Sequence, residues 1–295
     1  MLVPNLPTPL QLLIDDVTLR AGVQLFIKRD DLIHPTVSGN KWRKLKFILQ
    51  DAQSKKFTSL LTFGGAWSNH LYATAAAGKV LDLKTIGIVR GEEYQGKLTG
   101  TLQFCVSQGM ELYFISRENY RSKNDPAFFE NIREKFNDPY LIPEGGSASL
   151  ALPGVSEVVA ETETQLGRRP DCYAVAAGTG GTAAGLLAAS APTLAFSALK
   201  NGGFLKAEIL KLATAEDAQA NLHLFTDYHF GGYAKHKPEL LTFMQEFEQN
   251  HGVLLEHVYT GKMLFGLYDL MKKGFFKRAT TIIAIHTGGL QGRSH

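Results

Sequence analysis

The residues best suited to chemistry lie in one short stretch, Val37-Ser38-Gly39-Asn40-Lys41-Trp42-Arg43-Lys44. An apolar run precedes this stretch and a helical pattern follows it, so Lys41 falls where an extended segment becomes a helix. A lysine that is desolvated enough to lose its proton can form a Schiff base with an aldehyde. The same octapeptide also fits a solvated helix, since charged runs on helices usually face water. We therefore expect Lys41 to point into a cavity, and Arg43 and Lys44 to remain at the surface.

A glycine turn at Gly64-Gly65-Ala66-Trp67-Ser68-Asn69-His70 follows an apolar strand pattern. Ser68 and Asn69 are favourable N-cap residues, and the start of a helix offers unpaired N–H groups to an anion such as a carboxylate. A capped helix without any ligand explains the same residues.

A second turn, Gly178-Thr179-Gly180-Gly181-Thr182, follows another apolar strand pattern. Its N–H groups and threonine hydroxyls can surround a phosphate. With Ala183 it also fits a loose dinucleotide-binding pattern, but the acid expected about 20 residues later is missing. The turn therefore favours a compact phosphate monoester over a dinucleotide-dependent oxidoreductase. A reactive lysine, a phosphate turn and a carboxylate turn together indicate pyridoxal 5′-phosphate (PLP) acting on an amino acid.

Composition is that of an ordinary globular protein of 295 residues, with 44% hydrophobic and 20% charged residues. A net charge of +3 does not indicate a nucleic-acid partner. Cys105 and Cys172 are far apart, and no spacing of cysteine or histidine predicts a metal site. The uncharged stretch 174–199 is broken by Pro192 and fits strand, turn and helix better than a membrane span. We expect a cytoplasmic protein without a membrane segment.

The elements that must position these residues alternate between strand and helix. Strand patterns fall at residues 24–29, 59–63, 85–89, 111–116, 140–142, 172–177, 193–199, 222–226 and 281–286. Strands separated by helices and short loops predict parallel sheets with helices on both faces. We expect two such three-layer α/β domains. One would comprise residues 47–149 and hold the substrate carboxylate. The other would comprise residues 1–46 and 150–295 and bind the cofactor.

Four motifs give the chain a family resemblance. The segments Lys28–Asp31, Ser38–Leu45, Gly64–His70 and Tyr259–Lys262 resemble, in order, those of the 1-aminocyclopropane-1-carboxylate deaminase and D-cysteine desulfhydrase family of PLP enzymes. The resemblance implies the fold of the tryptophan synthase β chain (PLP fold type II) and a homodimer.

The resemblance also implies roles for individual residues. Lys41, Tyr259 and Ser68 would be catalytic, with Lys41 holding PLP as a Schiff base and then acting on the Cα proton, and Tyr259 able to protonate a leaving group. The implied cofactor contacts are Lys41, Asn69 to the 3′-oxygen, Gly178, Thr179, Gly180, Gly181 and Thr182 to the phosphate, and Thr260 near the pyridine nitrogen with Thr287. The implied substrate contacts are Trp67, Ser68, Asn69, His70 and Tyr233.

The residue after Tyr259 bears on the reaction. Deaminases of this family have glutamate there, and its carboxylate keeps the pyridine protonated. Thr260 supplies only a neutral hydrogen bond, which suffices for α,β-elimination as in D-cysteine desulfhydrase. The alternatives are 1-aminocyclopropane-1-carboxylate deaminase and a non-catalytic protein that binds PLP and amino acids.

Three substitutions depart from the family pattern on the substrate side. Trp67 replaces a glutamine, and Tyr72 replaces an arginine. The family's second active-site tyrosine aligns best with Phe230, with Tyr233 as a substitute. These departures leave the natural substrate open.

Overall fold

The computed structural model describes residues 2–293, which form ten strands and twelve α-helices. The strands are β1 Leu10–Leu13, β2 Gln24–Lys28, β3 Ser59–Gly65, β4 Lys84–Arg90, β5 Met110–Ile115, β6 Tyr140–Ile142, β7 Cys172–Ala177, β8 Thr193–Ser197, β9 Leu222–Phe225 and β10 Thr281–Ile285. The helices are α1 Asp16–Ala21, α2 Asn40–Ser54, α3 Asn69–Leu81, α4 Gly100–Ser107, α5 Arg117–Arg121, α6 Pro126–Lys135, α7 Leu152–Leu166, α8 Gly181–Ala188, α9 Leu205–Ala213, α10 Ala218–Asn221, α11 Pro238–His251 and α12 Thr260–Lys272.

The strands form two sheets. A four-stranded sheet has the order β5-β4-β3-β6 and is entirely parallel. A six-stranded sheet has the order β1-β2-β10-β7-β8-β9 and is parallel except for β1. Every strand that the sequence pattern predicted is present, and the α/β fold with two parallel-sheet layers is confirmed. The antiparallel edge strand β1 was not predicted. The domain boundaries 47–149, and 1–46 with 150–295, stay a prediction.

Buried aliphatic side chains explain why both sheets take helices on their faces. Every residue of β7, β8 and β10 is buried, which is typical of parallel strands covered on two sides. In the smaller sheet, Leu61, Phe63, Ile86 and Ile88 form part of one core beneath α6. No helix among residues 2–293 is both long and apolar enough to traverse a bilayer.

Gly39 joins the two layers. Its φ is +62°, and a Cβ there would lie 2.0 Å from the Thr287 carbonyl oxygen. Only glycine allows this approach, which sets the start of α2 against the segment that follows β10. Lys41, two residues later, consequently lies between the two sheets.

The expectation that Arg43 and Lys44 lie at the surface was wrong. They are 1% and 2% exposed. Arg43 donates to Asp30 through Nε at 2.6 Å and to Glu161 through Nη2 at 3.0 Å. A buried guanidinium is tolerated here because two carboxylates receive it.

Candidate active site

A cleft of about 1010 Å³ opens between the carboxyl ends of β3, β4 and β6 on one side and of β7 on the other. This is where parallel sheets place ligands. Most of the predicted site residues line it: Lys41, Ser68, Asn69, His70, Gly178, Thr179, Gly180, Gly181, Thr182, Tyr233, Tyr259 and Thr287. The structure thus brings together residues as far apart in the sequence as Lys41 and Thr287.

Lys41 enters the cleft from the first turn of α2. Its Nζ lies 3.5 Å from the Gly145 carbonyl oxygen. Burial lowers the pKa of Lys41 to about 8, an effect that the carboxylate of Glu144 partly offsets. A substantial fraction of Lys41 is therefore the free amine that a Schiff base requires.

Lys44 is a functional residue that the sequence interpretation missed. Its Nζ donates to Gly145 O at 3.1 Å and to Ser147 Oγ at 3.2 Å. Burial, and then the charge of Lys41, lower its pKa well below the usual value. The signal was its spacing, since residues three apart share one helix face.

The Gly178–Thr182 turn depends on its glycines. Gly180 has a φ of +77°, and a Cβ on Gly181 would lie 2.4 Å from Ser147 Oγ and 2.9 Å from Lys44 Nζ. Hydroxyls surround the turn, since Thr179 Oγ1 and Ser147 Oγ are 2.6 Å apart. A lysine ammonium and hydroxyls at the start of α8 make a donor set suited to phosphate.

On the opposite wall, Ser68 caps α3, with its hydroxyl accepting from Leu71 N at 3.2 Å. The Asn69 amide oxygen accepts from Gln291 at 2.8 Å. Both side chains line the cleft at a helix start, as a carboxylate site requires.

His70 and Trp67 fit their predicted substrate contacts poorly. The Thr62 hydroxyl donates to the Ile142 carbonyl and so accepts from His70 Nε2, both at 2.8 Å. Burial lowers the pKa of His70, with help from Lys41 and Lys44, so the neutral ring has no second N–H to donate. Trp67 is 48% exposed and does not line the cleft.

A buried carboxylate fixes the residues on the third wall. Glu256 accepts from the backbone N–H groups of Val258, Tyr259 and Thr260 at 2.6 to 3.0 Å. These contacts hold the start of α12, so that Tyr259 faces the cleft. Burial raises the pKa of Tyr259 well above its usual value, and neighbouring Tyr233 adds to this. The Tyr259 hydroxyl is therefore neutral at ordinary pH.

Comparison with known proteins identifies the family of this chain. The family described as "Pyridoxal-phosphate dependent enzyme" matches residues 3–288. This chain is a member of that family.

Two curated relatives extend the match. A putative 1-aminocyclopropane-1-carboxylate deaminase of Pyrococcus abyssi is 35% identical over 98% of this chain and 91% of its own length. The mitochondrial bifunctional D-cysteine desulfhydrase/1-aminocyclopropane-1-carboxylate deaminase of Arabidopsis thaliana is 35% identical over 92% of this chain and 73% of its own. A crystal structure of an ACC deaminase homologue superposes with a TM-score of 0.82 at 31% identity, covering 99% of this chain and 92% of that chain. The protein is therefore a PLP-dependent enzyme of fold type II.

The residues present fit PLP. Thr260 Oγ1 is buried and has no hydrogen-bond partner among residues 2–293, as expected of a hydroxyl awaiting the pyridine nitrogen. Thr287 lies nearby in the cleft wall, and its carbonyl oxygen accepts from Asn40 N at 3.4 Å. Lys44 and the Gly178–Thr182 turn would hold the phosphate.

The residues that depart from the family pattern lie in different parts of the structure. Tyr233 lines the cleft, with its ring centroid 6.0 Å from that of Tyr259. Phe230 instead packs edge-on against Phe265 at 4.9 Å in the core. Tyr72 stacks on Phe104 at 3.7 Å and does not line the cleft. Tyr233 is thus the better placed substitute for the second tyrosine.

Proposed function

We propose that this enzyme catalyses PLP-dependent α,β-elimination on a small amino acid, as a D-cysteine desulfhydrase does. With D-cysteine and one water, the products are hydrogen sulfide, pyruvate and ammonium. The observation that carries the proposal is Thr260, a buried neutral hydroxyl at the position where the family resemblance implies glutamate in the deaminases. A hydroxyl can accept or share a hydrogen bond but does not hold the pyridine protonated, which suits a reaction whose leaving group takes the electron pair.

The side chains of the cleft divide the work. PLP, when bound, withdraws electrons from the substrate Cα. The start of α3 at Ser68 and Asn69 orients the α-carboxylate, and Lys41 removes the Cα proton as its free amine. Tyr259, kept neutral by burial, donates a proton to the departing sulfur.

The runner-up is 1-aminocyclopropane-1-carboxylate deamination, which the name of the Pyrococcus abyssi relative favours. Steady-state assays separate the two, since D-cysteine yields pyruvate and the cyclopropane substrate yields 2-oxobutyrate. We expect pyruvate formation to dominate in kcat/KM. A dominant release of 2-oxobutyrate would reverse the assignment.

The remaining alternative from the sequence is a protein that binds PLP and amino acids without turnover, although Trp67 does not line the cleft and Phe230 packs against Phe265. Amino acids would then shift the cofactor spectrum without exchanging the α-proton for deuterium. We expect exchange with at least one enantiomer of cysteine. Spectral shifts alone, across a panel of D- and L-amino acids, would favour the binding protein.

Location and assembly complete the proposal. The family resemblance supports a cytoplasmic homodimer. Each subunit would contain the two domains given above, residues 47–149 and residues 1–46 with 150–295. Light scattering should then give about twice the chain mass of 32.4 kDa.

A further inference from the structure

Arg90 stands beside the carboxylate turn. It ends β4, in register with Gly65 of β3, which begins the turn carrying Ser68 and Asn69. A Cβ on Gly65 would lie 3.4 Å from Arg90 Nη2, so the guanidinium lies over a residue without a side chain. Arg90 also lines the cleft.

The Arg90 guanidinium has no hydrogen bond or ion pair among residues 2–293, the side chain of Asn124 aside. It lies 5.4 Å from the ring centroid of Tyr120. Neighbouring cations are already paired, since Arg117 binds Glu93 at 2.5 Å and Lys123 lies 3.4 Å from Glu144. A partly buried guanidinium with free donors has the fork geometry that carboxylates and phosphates fill.

The surroundings of Arg90 favour an anion. A small cavity of about 210 Å³ adjoins the cleft and shares two of its residues, Arg90 and Lys123. Its remaining lining residues are Arg117, Tyr120 and Arg121, so no carboxylate lines it. Cavities lined by one sign of charge concentrate the opposite ion. We call Arg90 and Lys123, at the junction of the two cavities, the distal basic subsite.

Glu144 contacts Lys123 of this subsite, and it is already engaged. It accepts from the Tyr120 hydroxyl at 2.8 Å and pairs with Lys123. Its charge therefore offsets that of Lys123. The charge of Arg90 also acts on Glu93, but Glu93 pairs with Arg117, so neither carboxylate is bonded to Arg90.

We propose that the substrate is an amino acid whose β-substituent ends in an anion such as a carboxylate, and that Arg90 binds this second anion. The inference rests on the proposed function and deepens it. The helix start at Ser68 and Asn69 takes the α-carboxylate, and the distal basic subsite takes the terminal anion. For a thioether substrate the Cα proton is removed, the Cβ–S bond breaks with its electron pair on sulfur, and sulfur gains a proton. One water then releases pyruvate and ammonium.

The test compares two substrates of equal size on the holoenzyme. S-carboxymethylcysteine carries the terminal anion, and S-carbamoylmethylcysteine carries a neutral amide in its place. Both enantiomers of each are titrated against the visible cofactor band and by calorimetry to give Kd, with pyruvate release measured separately. We expect the carboxymethyl compound to bind at least tenfold tighter, as is typical of a charged hydrogen-bonded pair.

Three variants test whether Arg90 causes the preference for the charged ligand. Arg90→Gln should bring the ratio of the two Kd values close to one, and Arg90→Lys should restore part of it. Arg20→Gln removes the same charge from α1, where the exposed Arg20 pairs with the exposed Asp16 and lines neither cavity, and it should leave the ratio unchanged.

The outcomes separate the two proposals. Equal Kd values in the wild type, or an unchanged ratio in Arg90→Gln, would overturn the inference. An equal loss of both ligands in Arg90→Gln would also overturn it, because Arg90 would then bind the α-carboxylate. Absence of pyruvate from every amino acid, with the Kd ratio intact, would refute elimination and leave the subsite standing.

Discussion

Lys41 and Lys44 lie one turn apart on α2, and both amines approach the same Gly145 carbonyl oxygen, at 3.5 and 3.1 Å. Two buried lysines so close repel each other, and the charge of Lys41 adds to burial in lowering the pKa of Lys44. A phosphate dianion beside Lys44 would relieve this repulsion. The pair therefore makes chemical sense as one covalent anchor and one electrostatic anchor for the same cofactor.

Substitution should separate these two roles. Lys41→Ala should abolish the borohydride-fixed PLP label, because Lys44, the neighbouring amine, is held by the Gly145 carbonyl and the Ser147 hydroxyl. Lys44→Met should keep the label but weaken PLP affinity by tenfold or more, through loss of a charged phosphate contact. Absorbance, peptide mapping and equilibrium dialysis provide the measurements.

Lys46→Met is the matched control, since Lys46 lies on the same helix and pairs with Glu157 outside the cleft. It should retain both the label and the affinity. Full PLP affinity in Lys44→Met would contradict the electrostatic role.

The depressed pKa of Lys41 predicts how cofactor capture depends on pH. The protonated amine cannot attack an aldehyde, and the pKa is about 8 where 10.5 is usual. Below the pKa the free amine falls tenfold per pH unit, so at pH 7 about a tenth is reactive. Stopped-flow mixing of apoprotein with limiting PLP should show a rate that rises to about pH 8 and then levels. A rate still climbing at pH 10 would mean that Lys41 is solvated.

Among the elements, the sequence pattern predicted the strands of the two parallel layers because their apolar runs are buried on both faces. It missed β1, Leu10–Leu13, whose pattern is mixed and whose Leu12 is 44% exposed. This strand exists through its antiparallel pairing with β2, a partnership that local pattern cannot reveal.

In the site, too, some residues could be predicted from local sequence and others could not. Turns with their own glycines were predictable, whereas Arg90 and Glu144 were not, because only the register of β4 and the end of β6 bring them to the cleft.

Adding a methyl group at Gly39, at the start of α2, should strongly reduce stability. Gly39→Ala would combine a positive φ with a Cβ 2.0 Å from Thr287 O, so helix and sheet would have to separate. We expect a loss of several kcal/mol, beyond the ~1–2 kcal/mol of the φ strain alone. Thermal melting and bound PLP content measure the two effects.

Gly109→Ala isolates the strain, since Gly109 has a φ of +88° and nothing within 4 Å of a Cβ. It should cost only the backbone part and retain PLP. If the two variants melt together, the close approach at Gly39 is unimportant.

Across the whole molecule, a buried cluster of charges ties three distant segments together. Lys28 on β2 donates to Glu161 on α7 at 2.5 Å, and Arg43 on α2 joins Glu161 to Asp30. The Thr8 hydroxyl donates to Asp30 at 2.8 Å. The partners are up to 153 residues apart, so spacing in the sequence could not show that Arg43 was one of them. The cluster holds α2, which carries Lys41, against β2 and α7.

Removing Arg43 should therefore destabilise the molecule as a whole. Arg43→Met leaves Asp30, which is 1% exposed, without its cation, and Glu161 keeps only its pair with Lys28. An unpaired buried charge costs about 3–5 kcal/mol of folding stability. Arg133→Met removes a pair with Asp138 in which both side chains are exposed, and should cost less than about 1 kcal/mol. Urea unfolding of both apoproteins, followed by tryptophan fluorescence, compares the midpoints. We expect a large downward shift for Arg43→Met alone, with PLP affinity falling alongside it, because the same cluster that stabilises the fold positions Lys41. Similar midpoints for the two variants would show that the buried cations contribute no more than surface pairs.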